Sequence, residues 1–343
     1  MNLSLAEIAD LVHGRLAGDP AARATGVASL TAAGPGDVAF ARKDTLSQAA
    51  GFKGACLLAP ESVPGVANQI LVADPQLAFA AVLRIVETER RSLPSGVHPS
   101  ATVAATAQLA AGVAIGPSAT VGEYAVIGEN TAICAGAHIG DHVHIGPGGL
   151  VYPGVVIRER VTIGRNVIIH PNTTIGGDGF GFVPSHGRQV KMPQVGAVRI
   201  GDDVEIGCNC TIDRGAIEDT VIENGVKTDN HCHVAHNCRI GENTILVAYT
   251  RIGGSTVIGK NCILAEDAAV TDHVTIGDNS IVTATARVSK SWPAGSVLGG
   301  SPAMPFDEAK RVVMAQTRVP KALREITDLR EKVNKILQHL GLA

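Results

Sequence analysis

From Val97 onward an aliphatic residue returns at every sixth position. The series runs through Val103, Leu109, Ile115, Val121, Ile127, Ile133, Ile139, Ile145, Val151, Ile157, Ile163 and Ile169 to Ile175. It breaks for an excursion of 19 extra residues, resumes at Ile200, Ile206 and Ile212, slips by four, and continues from Ile222 to Val288. Of the 29 registered positions only Thr228 is not aliphatic. A period of six fits neither the 3.6-residue turn of a helix nor the alternation of a single strand. It fits short strands joined by turns, three hexads closing one triangular coil, with successive coils paired as parallel strands about 4.8 Å apart. The prediction is a parallel β-helix, a quasi-one-dimensional solenoid with each aliphatic residue pointing inward. Glycine follows the aliphatic residue at Gly116, Gly122, Gly128, Gly140, Gly146, Gly164 and Gly176, and is expected to relieve backbone crowding at the turn.

The flanks lack this period. Residues 1–96 mix a helical spacing (Leu5, Ile8, Ala9, Val12) with strand-like runs at Cys56-Leu57-Leu58 and Ile70-Leu71-Val72, which predicts a small α/β domain. The solenoid is predicted over 97–303, its end marked by the Pro- and Gly-rich SWPAGSVLGGSPAMP. Residues 304–343 are predicted to form C-terminal α-helices. Leu323, Ile326, Leu329, Val333, Ile336, Leu337 and Leu340 make an amphipathic stripe there.

Composition sharpens this picture. Aromatic residues are 3% of the 343 and glycines number 39, as a narrow prism with no room for stacked rings requires. With 45% hydrophobic and 18% charged residues the chain can pack a core, which excludes disorder as its main state. A net charge of −3 argues against a whole-chain nucleic-acid binder. From residue 305 on, eight Lys and Arg face five acids, so the tail is net positive. The start carries Glu7 and Asp10 and no basic or long apolar segment, unlike a secretory signal. Residues 92–122 hold no Asp, Glu, Lys or Arg, but prolines, polar residues and the six-residue period argue against a membrane span. The expected location is cytoplasmic, with seven cysteines as free thiols.

Four blocks carry a resemblance: GGDGFGFVP (176–184), GDDVEIGCNCTIDRGAIEDTVIENGVK (201–227), DNHCHVAHNCRIGENT (229–244) and GGSTVIGKNC (253–262). They are similar to those of the UDP-3-O-(3-hydroxyacyl)glucosamine N-acyltransferases of lipid A biosynthesis. The resemblance covers the N-terminal domain, the solenoid and the C-terminal tail, and AHN and TIDRG are its most specific parts. It implies a left-handed β-helix and a homotrimer with active sites between subunits. The implied reaction moves a 3-hydroxyacyl chain from acyl carrier protein to the 2-amine of a UDP-3-O-acyl-glucosamine. No cofactor is expected to be bound, because the phosphopantetheine arrives on the carrier protein.

His236, in the AHN block, is either a general base for the attacking amine or an ordinary solvated corner histidine. The resemblance implies the base. One 18-residue coil further is Gly254, whose N–H is either an oxyanion donor or part of one more turn in a Gly-rich repeat. His273, two coils on and offset by one, matches a second family histidine that contacts substrate. Lys290, three coils on, is either a partner for the pantetheine phosphate or a surface lysine. Asp229 matches a family acid that orients substrate or histidine, and reads equally as a solvated turn residue. The excursion 177–199 is expected to line the sugar and acyl cleft through Asp178, Phe180 and Phe182, or else to pack on a neighbouring subunit. In DVAFARKDTLSQ (37–48) the resemblance implies a uracil site containing Phe40 and Lys43. There Leu46 stands in place of the family's second ring, a tyrosine, and Lys43 in place of an asparagine. Glu266 and Asp272 stand where the family has glycines. Lys321, Arg324 and Arg330 are the expected dock for an acidic carrier protein.

His231, Cys232, His233, His236 and Cys238 look like metal ligands. Period arithmetic argues otherwise. Cys210, Cys232, Cys238 and Cys262 each lie two residues before an inward aliphatic, in a slot for small residues, and Cys210 and Cys232 fall on neighbouring coils. No metal is expected, and a zinc β-helix carbonic anhydrase would leave the N-terminal domain and basic tail unexplained. The remaining rivals are a CoA-dependent nucleotide-sugar acetyltransferase and a non-catalytic solenoid that binds sugar nucleotides.

Overall fold

The computed structural model describes residues 1–91, 93–300 and 306–340, and falls into two compact units, Met1–Ser92 and Leu93–Ala343. The expected border between solenoid and tail, at 303/304, lies outside the described residues.

The first unit is a five-stranded sheet with helices. Its strand order is Arg15–Ala17, Gln69–Leu71, Cys56–Ala59, Asp37–Phe40, Gly26–Val27, and only the first pair is antiparallel. Helix α1 (Leu5–Leu11) begins with a reciprocal cap, the Ser4 hydroxyl accepting from the Glu7 N–H and the Glu7 carboxylate from the Ser4 N–H. This satisfies two of the amides that every helix start leaves free. Helix α2 (Pro75–Arg90) starts from an Asp74 cap with Pro75 in its first turn. Leu5, Ile8, Val38, Leu58, Ile70 and Val82 are fully buried between these elements.

The second unit contains the solenoid. Its three walls have ten, ten and nine parallel strands, most only two residues long. Every registered residue from Ile115 to Val288 is at most 7% exposed. Val97, at 50%, departs from the expectation. It belongs to the first coil, which has no coil below it, and its one pairing is an isolated bridge to Ile115. Thr228 is tolerated inside because its hydroxyl accepts from the Gly207 N–H at 3.1 Å.

The turns bear out the expected crowding. The glycine directly after the aliphatic allows close approach: a Cβ on Gly116 would stand 2.7 Å from the backbone nitrogen of Ala135 in the next coil. The left-handed backbone falls on the third residue after most of the aliphatics, as at Asn130, Asn166 and Asn243, a conformation asparagine accepts readily. The slot two residues before each aliphatic is filled as expected by buried small residues, among them Cys210, Cys232, Cys238, Cys262, Thr244 and Thr256. The two threonine hydroxyls donate to carbonyls of the next coil. Burial pushes the Cys238 thiol up to about 11. Cys56, Cys208, Cys210, Cys232, Cys238 and Cys262 are free thiols.

The excursion is an antiparallel hairpin, Phe182–Ser185 with Arg188–Lys191. The tail is one continuous helix, α3 (Phe306–His339), with Pro320 inside it, rather than several. Leu323, Ile326, Leu329, Val333 and Ile336 are 51–59% exposed along it. Among the described residues no helix is long and apolar enough to cross a membrane.

Candidate active site

The register of one wall defines a corner of the prism. Ile175, Ile212, Val234, Ile252, Val270 and Val288 pair in successive coils. Two or three residues after each of them, at the same turn, come Asp178, Arg214, His236, Gly254, His273 and Lys290. The parallel pairing converts a spacing of 18 in sequence into stacking in space, and the four-residue slip before Ile222 widens one step to 22. The excursion leaves the solenoid at this same corner, directly after Ile175.

His236 is half-buried between two glycines. A Cβ on Gly254 would stand 2.7 Å from both Cε1 and Nε2 of the imidazole. A Cβ on Gly179, from the excursion, would stand 2.6 Å from the His236 Cβ and 2.8 Å from its Cδ2. Either side chain would displace the ring. Backbone bonds tie the corner together: Ser255 N–H donates to the His236 carbonyl and His273 N–H to the Gly254 carbonyl, both at 2.9 Å. The Gly254 N–H donates to no acceptor among the described residues.

Asn237 fixes the tautomer of His236. Its Oδ1 accepts from the Ala216 N–H at 2.9 Å and its Nδ2 donates to the Glu218 carbonyl at 3.0 Å. These backbone partners decide which end of the amide is oxygen. That oxygen lies 3.0 Å from His236 Nδ1. An oxygen can only accept, so Nδ1 carries the hydrogen in the neutral ring, and Nε2 is left with a free lone pair on the Gly254 side.

Below His236 the corner is charged. Asp213 lies 3.9 Å from His233 Nε2. Burial pushes its carboxyl up, while the imidazoles of His233 and His236 oppose the shift. The Arg214 side chain is 7% exposed. It donates from Nε to the Gly176 carbonyl at 2.7 Å, reaches Glu159 at 2.8 Å and stands 4.0 Å from Asp178. Burial pushes Glu159 up, but bonds from Arg158 and the charge of Arg214 prevail and bring it down to about 2. Asp178 is held below the ordinary range, first by its hydrogen bond from Lys191. Arg214 therefore grips the root of the excursion one coil below His236.

The structure separates the remaining expected residues. Asp229 follows Thr228 on another wall, so it lies at a different corner, where its carboxylate accepts from the Asn230 N–H. Lys290 is at the right corner, but its ammonium lies 4.7 Å over the Trp292 ring, lining a cavity of about 300 Å³ at the solenoid's end. Phe180 and Phe182 face each other with ring centres 5.1 Å apart, and Phe180 is 86% exposed. In the N-terminal unit Phe40 packs against Phe79 at 5.0 Å. Lys43 is exposed, and Leu46 packs into a small cluster with Ala49 and Leu57 instead of presenting a free face. On α3, Lys321 is 3.8 Å from Glu325, Arg324 donates to the Pro320 carbonyl, and Arg330 is exposed. Among the described residues no cluster of three or more His, Cys, Asp or Glu is placed to hold a metal. Cys232 and Cys238 point into the prism, and His231 stacks on Tyr249. Sequence reasoning missed Asn237, Gly179, Asp213 and Arg214 as parts of the site, although three of them lie inside the AHN and TIDRG blocks.

A sequence profile described as UDP-3-O-(3-hydroxymyristoyl) glucosamine N-acyltransferase matches residues 23–85. Bacterial transferase hexapeptide repeats match 150–177 and 219–254. The UDP-3-O-acylglucosamine N-acyltransferase of Burkholderia multivorans is 54% identical over 329 residues, covering 91% of each chain. That of Pseudomonas fluorescens is 42% identical over 342 residues, covering 97% of this chain and 96% of the relative. Among solved structures, the Arabidopsis UDP-N-acetylglucosamine acyltransferase superposes with a TM-score of 0.54 at 25% identity, covering 60% of this chain and 71% of that one.

Proposed function

The chain belongs to the UDP-3-O-acylglucosamine N-acyltransferase family, and on that premise we propose that its His236 corner transfers a 3-hydroxyacyl chain from acyl carrier protein to the amine of a UDP-3-O-acylglucosamine. The observation that carries this reading is the bare Nε2 of His236 next to an N–H of Gly254 that has no acceptor among the described residues. The neutral amine attacks the thioester carbonyl. Nε2 takes the amine proton as the carbon–nitrogen bond forms, and the Gly254 N–H donates to the oxygen that becomes negative. The tetrahedral carbon then expels the pantetheine sulfur, which recovers the proton from the imidazolium. A positioned base contributes about 10²–10⁴ in rate and one oxyanion donor about 10²–10³.

His273, whose backbone is bonded to Gly254, contacts the acceptor in this scheme, and the excursion with Asp178, Phe180 and Phe182 covers the substrates. The N-terminal unit, with Phe40, takes the uridine. Lys290 meets the pantetheine phosphate by exchanging its contact with Trp292 for the anion. Asp229 acts in this scheme only if a neighbouring subunit brings its corner to His236. The experiment is direct. The protein is incubated with UDP-3-O-acylglucosamine and a 3-hydroxyacyl carrier protein, and products are weighed by mass spectrometry. The wild type yields the amide, and His236→Ala loses at least about 10²-fold in kcat with its fold intact. Near-normal turnover in His236→Ala would refute the base. Acetyl transfer from CoA, with none from the carrier protein, would refute the donor.

A further inference from the structure

Gln194 has a polar atom with no partner among the described residues. It lies on the return leg of the excursion and is 7% exposed. Its Nε2 donates to the Met192 carbonyl at 3.0 Å, which sets the orientation of the carboxamide. Its Oε1 is buried and accepts from nothing, alone in this among the buried side-chain nitrogens and oxygens of the described residues. Buried acceptors are nearly always satisfied, and an exception calls for a reason.

The location supplies one. A Cβ on Gly181 would stand 2.9 Å from Gln194 Nε2, and a Cβ on Gly179 would stand 2.6 Å from His236. Two residues of chain span at most about 7 Å. Phe180, between the glycines, is 86% exposed. The carboxamide of Gln194 and the imidazole of His236 therefore abut the two glycines of one Gly-Phe-Gly strap. Neither glycine puts a side chain against them. The segment is flanked by Gly177, so its backbone can shift without losing packed side chains.

We propose that Gln194 is a specificity-determining residue, its Oε1 accepting a hydrogen bond from a hydroxyl of the substrate held at His236. The inference rests on the N-acyltransferase reading. In that reading the amine is engaged by Nε2, so the donor that completes Gln194 is a hydroxyl. Two sources carry that chemistry, the 3-hydroxyl of the acyl chain and a free hydroxyl of the sugar. A site with a buried acceptor rejects the analogue lacking the donor far more strongly than an apolar pocket rejects a change of size.

The test has two arms. The first compares 3-hydroxyacyl and unsubstituted acyl carrier proteins of equal chain length. The second compares UDP-3-O-acylglucosamine with its 4-deoxy and 6-deoxy analogues. In one arm the wild type is expected to lose about 10²-fold in kcat/KM on removal of the hydroxyl. In Gln194→Met, nearly isosteric but without the acceptor, the same gap should shrink to about threefold or less, with turnover of the hydroxyl-free substrate unchanged. The arm that collapses names the source. Gln194→Asn, which keeps the amide but withdraws the oxygen by one methylene, is a second variant and should narrow the same gap. The proposal is overturned if the wild type shows no gap in either arm, or if the gap survives in both variants, as when a trapped water satisfies Oε1. If the wild type acylates none of these amines, the N-acyltransferase reading fails and takes this inference with it.

Discussion

At the scale of single residues, the proposed chemistry depends on which nitrogen of one ring carries a hydrogen. The neighbours of Asn237 leave its oxygen facing His236 Nδ1, so ¹⁵N NMR of the neutral enzyme should report an unprotonated Nε2. A spectrum dominated by the Nε2–H form would contradict the assignment. Asn237→Leu removes the orienting oxygen and should lower kcat by about 10²-fold or more, the scale on which losing the group that orients a catalytic histidine acts. Gly254→Ala is expected to be as severe for a different reason. Its methyl would stand 2.7 Å from Nε2, where the proposed mechanism has the ring meet the amine, so kcat should fall while thermal stability changes little. Both expectations follow from atoms that arithmetic on the sequence does not reach. The period places Gly254 beside His236, because parallel register turns 18 residues into one rung. It says nothing of the rotation of an amide. Gly179 was illegible for another reason: it sits in the excursion, where the period is interrupted.

At the scale of elements, the hairpin and the corner are joined through Arg214. A free glutamate titrates near 4.5, and Glu159 in the folded protein near 2. The folded state thus binds this proton more weakly than the unfolded chain. The contribution is full above about pH 4.5 and is lost as the pH falls toward 2. Arg214→Gln should therefore reduce stability at pH 7 by about 2 kcal/mol, below the value usual for a broken buried pair because Glu159 is 37% exposed. Near pH 2 the difference between variant and wild type should narrow, and melting curves across this range would show it. A difference that does not depend on pH would assign Arg214 to packing alone. The sequence marked this element as an insertion but could not say what it touched. Asp229 shows the converse: a residue in a specific block is placed by the register at another corner of the same chain, and no spacing within one chain reveals which corners subunits bring together.

At the scale of the whole molecule, α3 presents exposed apolar residues without a partner among the described residues. Val319, Ala322, Ile326, Leu329, Val333, Ile336 and Leu340 alternate in steps of three and four, the spacing of a coiled-coil seam. One copy cannot bury it. Sedimentation is expected to give a closed C3 trimer with three equivalent clefts between neighbouring walls. A fully active monomer would rule this out. Lys321, Arg324 and Arg330 lie off the seam, so reversing all three charges should preserve the trimer. The same change should raise the KM for acyl carrier protein about fivefold at low salt and leave the KM for the sugar nucleotide unchanged. A carrier-protein KM that stays put would move the dock elsewhere.

The unpartnered first coil, with Val97 half in solvent, and the identical spacing of the coils above it have a consequence for how such a chain can change length. Each solenoid strand pairs only with strands of the rungs before and after it, so the solenoid is modular at the level of the gene. Excising residues 119–136, one whole period, joins Ser118 to Ala137 and sets Val103 opposite Ile139, in the register that Val121 held before. Every inward residue then meets an equivalent neighbour, and the His236 corner, five coils further along, is unaltered. Deleting 17 or 19 residues would instead turn the aliphatic face of every later strand outward. Lineages of this architecture are therefore free to lengthen or shorten in steps of 18, which keep every later corner in place; a step of six keeps the aliphatic face inward but moves later corners by one wall, and any other step needs a loop to absorb the remainder, as the two interruptions of this chain do.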